Sequence, residues 1–244
     1  MKNKTSKYFK YAFGEIILVV IGILIALQIN TWNENRRASN EETKILTALR
    51  TDFKDSKIRI EKTMSMQQKA LNHSATLINI HERQDEKEFK YFDTNLDSLD
   101  NLIVYGKSWY RAEPVTGAYN ALISAGKVDL IKNEKLRNIL AQFSADLESG
   151  FEDQQTAMNL LHELTKTSSD ILLKITSNKY RKRSNLNPRP KDTLVVAKKF
   201  FTNDSFFGNL LAKSYDENNR LARQQSMLDQ TKAILEIIDK ELNK

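Results

Sequence analysis

The chain has 244 residues, of which 28% are charged and 40% hydrophobic, and a formal net charge of +7. It contains no Cys, which excludes a disulfide framework, a thiolate zinc site and a cysteine nucleophile. Seven Gly and three Pro are few, and they argue for long helices over a turn-rich β fold. The charge is unevenly placed: residues 1–32 supply +3 and residues 178–191 supply +6, leaving −2 for the rest.

Ile16 to Leu27 form an unbroken apolar run, IILVVIGILIAL. Its twelve residues are too few to span a bilayer, which needs about 20 residues of helix. Extending the count from Phe13 to Trp32 supplies twenty, with aromatic residues at both ends where headgroup belts lie. A basic start before a short apolar core also describes a cleavable signal peptide. Ala26-Leu27-Gln28-Ile29-Asn30 offers no A-x-A pair of small residues, so an uncleaved signal anchor is expected. Lys2, Lys4, Lys7 and Lys10 on one side outweigh Arg36, Arg37 and Lys44 on the other. By the positive-inside rule, residues 1–12 form a cytoplasmic tail, 13–32 the transmembrane helix and 33–244 a periplasmic domain on the cytoplasmic (inner) membrane. Glu15, Gly22 and Ala26 share one helix face. Gly22 and Ala26 make a small-xxx-small pair suited to helix association and a homo-oligomer, while Glu15 is expected at the headgroup level.

No Gly lies between Gly22 and Gly106, so the anchor helix is free to run on. Leu46, Leu49, Phe53, Ile60, Met64, Leu71 and Leu77 or Ile78 keep helical spacing, with an end expected near Arg83. A second helix, Asp85 to Tyr105, sets Phe89, Phe92, Leu96, Leu99 and Ile103 on one face. Gly106–Gly117 (GKSWYRAEPVTG) interrupts it, and a short helix Ala118–Ala125 follows with Gly126 as its C′ residue. Asn133 is the expected N-cap of a helix of some forty residues, marked by Leu136, Leu140, Phe143, Leu147, Phe151, Met158, Leu161, Leu172 and Ile175. The basic stretch Ser177–Asp192 is expected to be non-helical. A short helix at Thr193–Phe201 precedes a last one from Asn203 or Asp204, carrying Phe207, Leu211, Leu221, Leu228, Leu235, Ile238 and Leu242.

Each stripe is apolar on one side only, so each must pack on another. The expected fold is all-α: the transmembrane helix continues into an antiparallel, up-down-up-down four-helix bundle with the basic loop at its far tip. A longer coiled coil, or three helices with a lateral hairpin, is the alternative.

The N-terminal segment KYFKYAFGEIILVVIGILIALQINTWNENRR resembles a family of uncharacterised single-pass membrane proteins of flavobacteria and their relatives. Residues 118–143, AYNALISAGKVDLIKNEKLRNILAQF, resemble that family's second recurring block. The resemblance implies an anchored helical domain and brings no catalytic residues with it.

Chemistry-bearing motifs are sparse. The three His, at 73, 81 and 162, have Ala70, Ile78 and Asn159 where a di-iron helix bundle needs Glu, and H-E-x-x-H is absent. There is no G-x-S-x-G elbow, P-loop or G-x-G-x-x-G. Neither an enzyme nor a cofactor is expected. Two segments are candidates for partner binding. Trp109, Tyr110 and Arg111 are residue types enriched at interface hot spots, although the two aromatics also suit a cap where the second helix breaks. Arg181, Lys182 and Arg183 head the basic loop, which is either a solvated loop or a contact for an anionic surface. The lipid bilayer and an envelope protein are the expected partners, and nucleic acid is not. The function expected is a membrane-anchored binding or scaffold module, with a ligand-sensing bundle acting through a membrane partner as the alternative and an extracytoplasmic hydrolase with an unrecognised site ranked third.

Overall fold

Helix α1 runs without interruption from Lys4 to Arg83, about 120 Å at 1.5 Å per residue. It belongs to a computed structural model that describes residues 4–149, 153–189 and 196–243. No strand occurs among the described residues, and the chain is all-α. From Phe13 to Arg36 every side chain of α1 is exposed. Beyond it, Leu46, Leu49, Phe53, Ile60, Leu77 and Ile80 turn one buried stripe toward the other helices.

The helix ends at Gln84, which takes a left-handed conformation (φ 50°). Its side chain donates to the carbonyls of His81 and Phe201. Asp85 then caps the next helix by accepting from the Lys87 amide at 2.8 Å. The expected single helix over 85–105 is two: α2 (Glu86–Thr94) and α3 (Leu96–Lys107). Asn95 leaves helical geometry (φ −124°, ψ 54°) while its side-chain amide donates to the Tyr91 carbonyl, so it closes α2 from within. The apolar register survives the break, and Phe89, Phe92, Leu96, Leu99 and Ile103 are all buried.

Residues 108–116 are non-helical and lead to α4 (Gly117–Ser124), with Gly126 at φ 64° as expected for a C′ glycine. A 3-10 turn at Val128–Leu130 precedes α5 (Glu134–Ser149), whose Asn133 cap accepts from the Leu136 amide at 3.0 Å. Over the expected forty-residue helix, α5 and α6 (Asp153–Thr167) flank residues 150–152, which lie outside the described residues, and α7 (Ser169–Ile175) follows a break at Ser168. Hydroxyls explain the α6–α7 break: Thr167 and Ser168 bond back to the carbonyls of Glu163 and Leu164, and Asn203 takes the Thr167 carbonyl at 2.7 Å. Phe151 lies outside the described residues, and Met158, expected in the stripe, is exposed.

The basic stretch is also corrected, because it contains α8 (Asn178–Arg183), started by Ser177 accepting from the Tyr180 amide. Helix α9 (Val196–Phe201) and α10 (Asp204–Leu242) complete the order, with Asn203 capping α10. Residues 190–195 of the expected loop and short helix lie outside the described residues.

The pairing follows from three apolar clusters. The first joins Leu77 and Ile80 of α1 to Phe89, Phe92, Leu99 and Ile103, to Leu164, Ile171 and Ile175, and to Phe200, Phe201, Phe206 and Phe207. The second joins Leu46, Leu49 and Phe53 to Tyr119 and Leu122, to Leu136, Leu140 and Phe143, and to Ile234 and Ile238. The third, between them, is small: Ile60, Ala112 and Leu228. Thus the N-terminal end of α10 meets the C-terminal end of α1, and Arg50 reaches Asp239 at 2.6 Å near the opposite end. The two long helices are antiparallel. Helix α3 comes close to α1 at Gly106, whose carbonyl accepts from Ser74 Oγ at 2.9 Å. A Cβ there would meet Leu77 Cδ1 at 3.0 Å and the Ser74 amide nitrogen at 3.4 Å.

Gly106→Val is expected to lower stability by about 1–3 kcal/mol through overpacking against α1. Chemical denaturation monitored by helical circular dichroism checks it, with Gly14→Val, at a position with open space, as the neutral control.

Candidate functional site

The middle of the molecule is where the interior turns polar. Along α10 the buried stripe passes from Leu210 to Lys213, Glu217, Arg220 and Gln224 before returning to Leu228. Those five steps of three and four residues keep one face inward. Leu211, expected on the stripe, sits one position off it and is exposed. Facing them, α1 contributes Gln67, fully buried.

This seam is held by few bonds. Gln67 Nε2 donates to the Glu217 carbonyl at 3.2 Å, and Gln224 Nε2 donates to Gln67 Oε1 at 3.1 Å. Lys213 Nζ lies 3.6 Å from Glu217 Oε1, one helical turn away, with both side chains at most 5% exposed. Lys213 Nζ, Glu217 Oε2 and Gln224 Oε1 make no hydrogen bond among the described residues. Burial lowers the Lys213 pKa, against the opposing pull of Glu217. Burial likewise raises that of Glu217, against Lys213 and Arg220. The charged forms of both are strained by the same lack of solvent.

Trp109 closes the seam from the non-helical segment. The Arg220 guanidinium stacks 4.3 Å from its ring centroid, and its indole Nε1 is buried. Arg111 donates to Gln154 of α6 at 2.7 Å, so two of the three candidates at 109–111 are engaged inside the fold; Tyr110 is half-buried beside them. The segment itself is anchored by α1: Ser56 Oγ accepts the Val115 amide at 2.8 Å, and Asp52 accepts the Ala118 amide at 2.7 Å. A cleft of about 90 Å³, lined by Thr156, Ala157, Asp216, Asn219, Arg220 and Arg223, shares Arg220 with the seam. Sequence reasoning passed over this site because Lys, Glu and Arg on a helix read as a solvated face. The signal was present in the gap between Leu210 and Leu228, where polar residues hold most of the inward register and Leu221 is only half-buried beside them.

The other candidates are separated in space. Arg181 is buried and donates to the carbonyls of Leu173, Thr176 and Asn187, while Lys182 and Arg183 are exposed. Glu15, Gly22 and Ala26 lie on the exposed part of α1. His73 contacts the Lys69 carbonyl and the Tyr105 ring, and His81 stacks on Phe207 at 4.2 Å while contacting the Phe201 carbonyl. His162 is exposed. Among the described residues no group of His, Asp and Glu is arranged to hold a metal ion.

Breaking the pair by Lys213→Met is expected to cost about 3–5 kcal/mol, whereas Lys213→Met with Glu217→Leu is expected to be neutral or stabilising. Thermal unfolding of the two variants decides it. Between pH 4.5 and the raised Glu217 pKa, the native state holds a proton that the unfolded chain has lost. Stability from this group is therefore full below pH 4.5 and falls as pH rises through that window. Wild type should gain stability over Glu217→Gln as pH is lowered from neutrality, measured by denaturant titration at each pH.

No curated protein and no solved structure matches the chain. A family model described as a family of unknown function, DUF6090, matches residues 15–146, from the apolar run through α5. That is more than half of the sequence, and the chain belongs to this family.

Proposed function

We propose that this protein is a single-pass protein of the cytoplasmic membrane, whose residues 33–244 form a periplasmic four-helix bundle serving as a non-catalytic binding or scaffold module. The observation that carries the reading is the contrast within α1. Every large apolar residue from Phe13 to Trp32 is 46–72% exposed, whereas the same helix buries Leu46 to 4% and Leu49 to 0%. A continuous apolar surface of that extent needs hydrocarbon or another helix around it. Among the described residues one helix is long and apolar enough to cross a membrane, with a mean hydropathy of 2.2 over its best window. Arg36 stacks 5.6 Å from the Trp32 ring centroid, an arrangement suited to a headgroup layer. The Gly22–Ala26 face, which nothing in the fold covers, fits a second copy of the helix.

The binding assignment rests on the division of the interior. Side chains that would serve chemistry, Lys213 and Glu217, are sealed between helices, and His73 and His81 are engaged by backbone carbonyls. What the domain offers outward is helix faces and loops. A second reading is favoured by the seam: unbonded polar atoms between the two long helices suit a small polar ligand, and α1 would carry any shift directly to the membrane.

Protease added to intact spheroplasts is expected to digest residues 33–244; protection until lysis would reverse the orientation. A ligand for the seam is expected to raise stability by about 2.7 kcal/mol at a hundredfold excess over Kd. Stabilisation lost on Gln67→Leu would favour the sensor, and crosslinked protein partners without such stabilisation would favour the scaffold.

A further inference from the structure

The end of the domain farthest along α1 from the apolar run has an unbalanced surface. Between Ile171 and Arg189 there are six cations and no acid. Two of the six work inside the fold. Arg181 binds three carbonyls around the end of α7, and Arg189 binds those of Ile175 and Thr176 as well as Asp97. The other four, Lys174, Lys179, Lys182 and Arg183, are exposed and form no ion pair among the described residues. Acids of the neighbouring elements are already engaged: Asp97 by Arg189, Asp170 by Lys199 and Glu86 by Lys198. Asp100 accepts the Ser177 amide at 3.0 Å. The four cations are uncompensated.

Apolar side chains are interleaved with them. Leu173 is 72% exposed, Tyr180 57% and Leu186 51%. The Leu173 carbonyl accepts from the Arg181 guanidinium, and the Leu186 amide donates to the Arg181 carbonyl at 2.8 Å. One buried arginine thus gathers both leucines and α8 at the same end.

We propose that this tip docks on an anionic lipid surface, its cations on headgroup phosphates and Leu173, Tyr180 and Leu186 in the acyl boundary. Polyanions such as nucleic acid or acidic polysaccharide would use the cations but leave the leucines in water. Protein interfaces are depleted in Lys, which makes up three of the four cations. Lipid interfaces take basic residues together with Leu and Tyr. The tip lies level with Leu77, which is about 70 Å along the helix from Trp32. The lipid is therefore a second bilayer, facing the one that holds the anchor. This inference rests on the anchored binding-module reading, and its test is independent of orientation in the cell.

Full-length protein held in nanodiscs of neutral phosphatidylcholine is mixed with vesicles of phosphatidylcholine alone or containing one third phosphatidylglycerol, and co-flotation is measured. Binding is expected only to the anionic vesicles. It should weaken about fivefold for each of Lys179→Gln, Lys182→Gln and Arg183→Gln. Leu173→Ser with Leu186→Ser should weaken it while leaving its salt dependence unchanged. All five positions are exposed, so unchanged melting of the variants serves as the folding control. Absence of flotation, or flotation that these variants leave intact, overturns the proposal. So does a loss confined to the cation variants together with competition by soluble polyphosphate, which would identify a polyanion as the occupant.

Discussion

The antiparallel pairing of α1 with α10 is the constraint on which the rest depends. The two helices share all three apolar clusters, and α3, α4, α5 and α6 pack directly beside them. Because α1 has no break between Lys4 and Arg83, whatever packs on its second half is joined by continuous helix to the exposed stretch from Phe13 to Arg36. Short pieces can then be irregular. Helices α2 and α3 bend at Asn95, and α6 and α7 at Ser168, yet their apolar residues reach the same cluster because the long pair supplies a continuous surface.

The pairing is not uniform along its length. Aromatic packing at one end brings Phe200 and Phe207 to 5.3 Å of each other and each within 4.9–5.9 Å of Phe201 and Phe206, centroid to centroid. The other end is closed by aliphatic residues and by Phe53 edge-on to Phe143 at 5.1 Å. Between them the contact rests on Gln67, Lys213, Glu217 and Gln224, which gain less from burial than they lose in hydration. Two firm ends and a costly middle favour a fixed register, since sliding the helices would strand the buried charges against aliphatic side chains. They also make the middle the first place where the helices can separate.

Charge is divided by the same logic. Arginines that cap the end of α7 contribute to folding, whereas Lys174, Lys179, Lys182 and Arg183 remain on the surface. A basic run in a sequence thus contains two populations, and only the carbonyls offered by neighbouring elements separate them. Arg181 illustrates the point: chain position places it between Tyr180 and Lys182, while its environment makes it an interior residue.

Periodicity in the sequence determined the class, the continuity of α1, the caps at Asn133 and Asn203, the glycine turn at Gly126 and the apolar faces of α2 and α3. Those are local properties, set by side-chain spacing, by capping hydroxyls and amides, and by backbone freedom within a few residues. Tertiary structure alone decided the polar seam, and it reinforced the break that local hydroxyls make at Ser168. Both draw on partners distant in the chain: Asn203 for the Thr167 carbonyl, Gln67 and Trp109 for α10. A Lys-Glu pair one turn apart has the same spacing on a wet face as in a core. Only the helices that cover Lys213 and Glu217 make it an interior pair.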